Sequence, residues 1–186
     1  TDGTLDTTFA NGRDLFDAGT KRTLFAYFSS LARYPDGRLA VAVDNQRLLN
    51  RGIAIARVQA NGEPDAAFGT GGVLDVGPQS SFTAETTPEI AVDATGRLVL
   101  AAIRVGQDAQ EVSVRRLRAD GALDTAFGNG GEVVLEHGTA KIEIGAIAVQ
   151  PDHRILLAAG DRFGTMQFMR LAVDGTLDPA FGAAGI

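Results

Sequence analysis

Short apolar segments recur along the chain, and the way they alternate predicts strands. "IAIAR" ending at Arg57, "VSVRR" at Arg116 and "MQFMR" at Arg170 alternate side chains with a period of two. Unbroken apolar runs follow tight-turn signals in "YPDGRLAVAV" from Tyr34, "VDATGRLVLAA" from Val92 and "QPDHRILLAA" from Gln150. Helix-period patterns are nearly absent. In the middle of the chain these signals predict strands over 72–76, 89–93, 97–103 and 112–118. The "PDG" at Pro35 and "DATG" at Asp93 are tight-turn sequences. His153 stands where Gly37 and Gly96 stand in the other two turns, which predicts a positive φ at that histidine.

The same order of segments returns at a fixed distance. Phe9, Phe68 and Phe127 lie 59 residues apart and Phe181 follows 54 later, with Asp6, Asp65, Asp124 and Asp178 keeping step. Between each Asp and Phe runs one phrase: "DGTLDTTFANG", "NGEPDAAFGTG", "DGALDTAFGNG" and "DGTLDPAFGAA". Three markers in one order define a tandem array. The chain reads as a single repeat domain, 1–186, with repeats near 12–70, 71–129 and 130–183 and a bracketing half-motif over 1–11. Four short antiparallel strands per repeat of about 54–59 residues predict an all-β fold of β-propeller-type blades.

With those residues in view, "DGxLDxxFGxxG" followed by "IAVxxxGRLVLA" resembles the delta-60 repeat. The strand–turn–strand part, "EIAVDATGRLVLAA", is similar to NHL-type blades. Pro64 replaces the apolar residue in the second copy, and Ala10 replaces Gly in the first. The resemblance implies a propeller-like repeat of a bacterial protein that is secreted or surface-borne, hence extracytoplasmic, and it implies no settled activity.

Composition narrows the functions. Net charge is −6 with no basic stripe, which argues against a nucleic-acid partner. Runs such as "ILLAAG" from Ile155 are too short for a membrane span. The chain has no cysteine, so disulfides and thiolate metal sites are excluded. It starts at "TDG" without Met or a signal-like segment, as a trimmed piece would.

The repeated phrase is expected to fasten blades. Its DG or NG pair gives a turn between the third and fourth strands, and Leu5, Leu123, Leu177 and the Phe side chains plug the space between blades. One such Phe is worth roughly 1.5–3 kcal/mol. The second Asp accepts backbone N–H bonds or pairs with an arginine such as Arg116. The alternative for Asp6, Asp65, Asp124 and Asp178 is Ca2+, although the spacing is not that of an EF-hand loop. No other cofactor is expected.

Catalytic signals are poor. Only His137 and His153 exist, and no G-x-S-x-G or HExxH occurs. "FGTGG" and "FGNGG" precede strands, so they lack the helix N-terminus that cradles phosphate. A metal-dependent hydrolase or lactonase would need a ring of ligands near the propeller axis. The inner strands offer Ser29, Ser30, Glu89 and Glu143 without completing such a set.

A site must distinguish one blade from the next, so the non-repeating connections are the place to look. They are 44–52, 104–111 and 160–165 between second and third strands, and 17–23, 77–88 and 136–141 between blades. Asn45, Arg51, Glu85, Arg104, Asp108, His137, Asp161 and Arg162 are the candidates for a ligand face. The plain reading is solvated loop tips. The functional reading is a binding or display module for a protein, peptide or carbohydrate, and a structural spacer with no ligand is the third reading. Three blades are few, so two outcomes are expected: further repeats of a longer parent chain, or a homodimer that completes six blades.

Overall fold

The computed structural model describes residues 4, 6–12, 26–45, 52–76, 84–105, 110–136, 142–161 and 165–186. Among them are eleven strands, one 3-10 turn at Phe9–Gly12 and no α-helix. The strands are β1 (Ala26–Arg33), β2 (Leu39–Asn45), β3 (Gly52–Val58), β4 (Val73–Val76), β5 (Ala84–Val92) and β6 (Leu98–Val105). They continue with β7 (Gln110–Leu117), β8 (Glu132–Glu136), β9 (Ile142–Val149), β10 (Ile155–Asp161) and β11 (Met166–Leu171).

Three antiparallel sheets result: β1-β2-β3-β4, β5-β6-β7-β8 and β9-β10-β11. Each is a meander in which every strand pairs antiparallel with its neighbours in sequence. Every sheet is thus a blade, the third with three strands among the described residues. The sequence period starts one strand earlier than the sheets do: "GVLDV" hydrogen-bonds to β3 before it and closes the first blade.

Blades approach one another through their first strands, β1 against β5 and β5 against β9. The first strand is therefore the inner one. Among the described residues the first and third blades do not pack on each other, so the sheets are not closed into a ring.

Two cores fill the two gaps, and β6 serves both. Its even-numbered residues Leu98, Leu100 and Ala102 join Ile53, Ile55, Phe68 and Ile90 between the first and second blades. Its odd-numbered residues Val99, Ala101 and Ile103 join Val112, Val114, Phe127, Ile144 and Leu157 between the second and third. Alternation of side chains across a strand makes one segment the wall of two cores. That is why "LVLAAI" is apolar at every position, as strands buried on both faces are.

Two local features depart from, or meet, the sequence reading. β5 starts at Ala84, inside the 77–88 stretch read as connection, because a bulge between Thr86 and Glu89 admits Pro88 without breaking the pairing. His153 has φ 65°, alongside 91° at Gly37 and 81° at Gly96, so the positive φ expected there is present.

Candidate functional site

The repeated phrase folds identically three times, and each copy is built around an arginine of the third strand. The amide of Asp65 donates to the carbonyl of Arg57 (2.9 Å), that of Asp124 to Arg116 (2.8 Å) and that of Asp178 to Arg170 (2.8 Å). This return of the chain sets each carboxylate beside its arginine. Arg57 Nε donates to Asp65 Oδ2 at 2.7 Å, Arg116 to Asp124 at 2.7 Å and Arg170 to Asp178 at 2.8 Å. A second arginine reaches the same oxygen from the start of the second strand: Arg38 at 3.0 Å, Arg97 at 3.9 Å and Arg154 at 3.0 Å. Each Oδ1 accepts the backbone N–H two residues on, from Ala67, Ala126 or Ala180, which shapes an Asx turn.

The guanidinium also stacks on the motif's phenylalanine. Arg57 lies 4.2 Å from the Phe68 ring centre, Arg116 4.7 Å from Phe127 and Arg170 4.7 Å from Phe181. Its remaining arm crosses to the next blade: Arg57 Nη1 donates to the carbonyl of Ala119 and Arg116 Nη1 to that of Val173, both at 2.5 Å. The phenylalanine ring crosses as well. A Cβ on Gly121 would stand 3.0 Å from the Phe68 ring, and one on Gly175 3.1 Å from Phe127. Only glycine lets the turn approach that ring and hold φ near 89° and 95°. The fastener is therefore a tie from one blade's Arg and Phe to the following blade's turn.

Electrostatics follow from this geometry. Burial opposes the charge on Asp65, but the Arg38 hydrogen bond, the Arg57 charge and the Ala67 N–H outweigh it and lower its pKa. At Asp124 burial is likewise outweighed, by Arg116 and the Ala126 N–H. The Ala180 N–H leads in lowering Asp178, with Arg170 and Arg154 adding to it against burial. Asp6 differs: it is exposed, and the Thr8 side chain and N–H lead in lowering its pKa. The four aspartates stand one per motif, and among the described residues no three His, Asp or Glu side chains group as a metal site.

A second polar network does not repeat. Glu132 on β8 accepts from Arg115 Nε at 2.9 Å and from the Ser113 hydroxyl, and lies 3.5 Å from Arg104 Nη1. Arg104 also faces Glu111 at 3.9 Å. Burial opposes the charge on Glu132, yet Ser113, Arg115 and Arg104 hold its pKa below the usual range. The equivalent residues are Asn45, Ala54, Ala56 and Val73 in the first blade, and Asp161, Gln167, Met169 and Ile186 in the third. The network faces the first blade, beside a hollow of ≈ 150 Å³ between β4 and β7 that Arg115 helps to line.

The ligand-face candidates separate. Arg104 is a buried member of this network. Asp161 closes the β10–β11 hairpin by accepting the Thr165 N–H at 3.1 Å. Asn45 ends β2 opposite Gly52, and Glu85 lies in β5 opposite Arg104. Arg51, Asp108, His137 and Arg162 lie outside the described residues. On the inner strands, the Ser30 hydroxyl donates to Glu89 at 2.8 Å and accepts the Ile90 N–H, joining first and second blades. Ser30 and Glu89 thus tie two blades, whereas Glu143 is exposed. Sequence reading missed the Arg104–Arg115–Glu132 network. Its signal was present at Arg115 and Glu132, charged where the other blades carry Ala56 and Met169, and Val73 and Ile186.

Two antiparallel sheets of four strands and one of three among the described residues, set side by side on their first strands, define propeller-type blades in an open array. Residues 94–127 match a family model described as "Domain of unknown function (DUF5122) beta-propeller". The matched segment runs from the turn before β6 to Phe127, and supports a β-propeller-like repeat. No curated protein matches the chain. No helix among the described residues is long and apolar enough to cross a membrane.

Proposed function

We propose that the chain is a non-catalytic binding or display module of the delta-60 repeat kind, borne by an extracytoplasmic bacterial protein. Its ligand is a peptide or carbohydrate taken on the connections that do not repeat. One observation carries this reading: the repeated charged residues are committed to holding blades together. Arg57, Arg116 and Arg170 each spend their guanidinium on an aspartate and a phenylalanine of their own motif. The chemical variety left over lies in the sequence between β2 and β3, β6 and β7, and β10 and β11.

The test is capture of the soluble chain on a glycan array and a displayed peptide library. Arg51→Glu and Arg162→Glu are compared with the parent. Capture that these substitutions abolish at unchanged melting temperature supports the reading. No capture by the parent, or capture indifferent to both substitutions, overturns it. A melting temperature that falls on adding a chelator would favour a metal on the propeller axis instead.

A further inference from the structure

The third blade presents a face that its predecessors bury. Ile53 and Ile55 on β3, and Val112 and Val114 on β7, are fully buried; Met166 and Phe168 hold those places on β11 and are 66% and 49% exposed. Beside them Gly145, Ala158, Gly160 and Met166 line an open hollow of ≈ 230 Å³. At the other end of the array, β1 carries the complementary defect. Leu31 lies opposite Val41 as Ile90 lies opposite Leu100 and Ile147 opposite Leu157. Ile90 is 5% exposed, and Ile147 packs on the second core, but Leu31 is 64% exposed.

We propose that the outer face of the third blade docks the first blade of a second copy of this chain, with Met166 and Phe168 meeting Leu31. The reason is continuity with an interface the molecule already builds twice. The same pair of faces meets between the first and second blades and again between the second and third, each time around a buried apolar core. Among the described residues, one half of that interface stands uncovered on the first blade and the other half on the third. Made twice about a two-fold axis, the contact joins two three-bladed chains into a ring of six, within the usual range of blade numbers. Phe9 already sits against the Gly62 turn of the first blade, where a Cβ would meet its ring at 3.0 Å. The new contact is thus one of sheet faces, with that turn plugged from within its own chain. The proposal does not depend on the binding reading.

Sedimentation equilibrium and light scattering test it. The expected mass is twice 19.4 kDa. Leu31→Asp and Phe168→Asp are each expected to give the monomer mass with an unchanged far-ultraviolet spectrum, since both side chains are exposed within the chain. Mixing the two variants is expected to restore a pair, because one contact in the mixed ring joins two intact faces. A monomeric parent, a mass that grows without limit as concentration rises, or a dimer indifferent to both substitutions overturns the proposal. Failure of the variants to complement on mixing also overturns it, by excluding head-to-tail docking.

Discussion

The second and third blades share one plan, yet equivalent side chains have different fates in them. Val112 and Val114 are sealed, whereas Met166 and Phe168 face solvent; Phe127 is fully buried, whereas Phe181 is only partly buried. The Arg116 side chain is 4% exposed and donates to the next turn, whereas Arg170 is 21% exposed and has no following turn among the described residues. Residue type does not explain this, because the larger apolar side chains are on the exposed face. A neighbour explains it. In a nearest-neighbour array a blade's stability comes as much from the next unit as from its own residues.

Phe127→Ala is the strongest way to break this comparison. It should cost about 3–5 kcal/mol in urea unfolding, since the cavity opens between two blades, while Phe181→Ala should cost about 1 kcal/mol. Equal losses would mean that the ring works within its own motif and not as a plug against the following turn. Next in size is Arg116→Ala, which leaves Asp124 without its nearest counter-charge and should cost about 2–3 kcal/mol. Arg170→Ala should cost clearly less, and a double-mutant cycle with Asp124→Asn or Asp178→Asn reads the two couplings separately.

Acid sharpens the same contrast. Asp124 has a folded pKa below its ordinary 3.8. The unfolded chain therefore takes up the proton first, and the stabilisation is complete above the ordinary value. It fades as pH falls from there through the folded value. Melting temperature should drop across that window, and Asp124→Asn should flatten the drop. The smallest expected effect concerns the turns. His153→Gly should raise stability by no more than about 1 kcal/mol by relieving the positive φ, whereas Gly96→His should lower it by a similar amount.

Much of this architecture is legible in the sequence because it is periodic. The spacing of Phe9, Phe68, Phe127 and Phe181 reveals the unit, and alternation in "VSVRR" together with the apolar run "LVLAAI" marks its strands. The pairing of Arg116 with Asp124 can be anticipated as well, since both recur in step. What stays hidden depends on a residue's partners across sheets. Arg104 reads as a loop-tip cation, yet its register opposite Glu111 and its approach to Glu132 place it in a buried network. Glu132 lies 28 residues further along the chain, and no period connects the two. The 77–88 stretch reads as connection, and only the pairing of β5 with β6 shows that its end is strand, with a bulge that admits Pro88.

The ties that the repeated phrase makes between blades point one way: Arg57 and Phe68 hold the turn at Gly121, and Arg116 and Phe127 hold the turn at Gly175. A gene segment running from one such turn to the next therefore encodes both a grip and something to be gripped. Duplicating it lengthens the array, and deleting it shortens the array, without creating a junction that the molecule has not already solved. Blade number can then drift under copying errors while every internal seam keeps the same Arg–Asp–Phe grip. The two outermost faces alone must answer for the change.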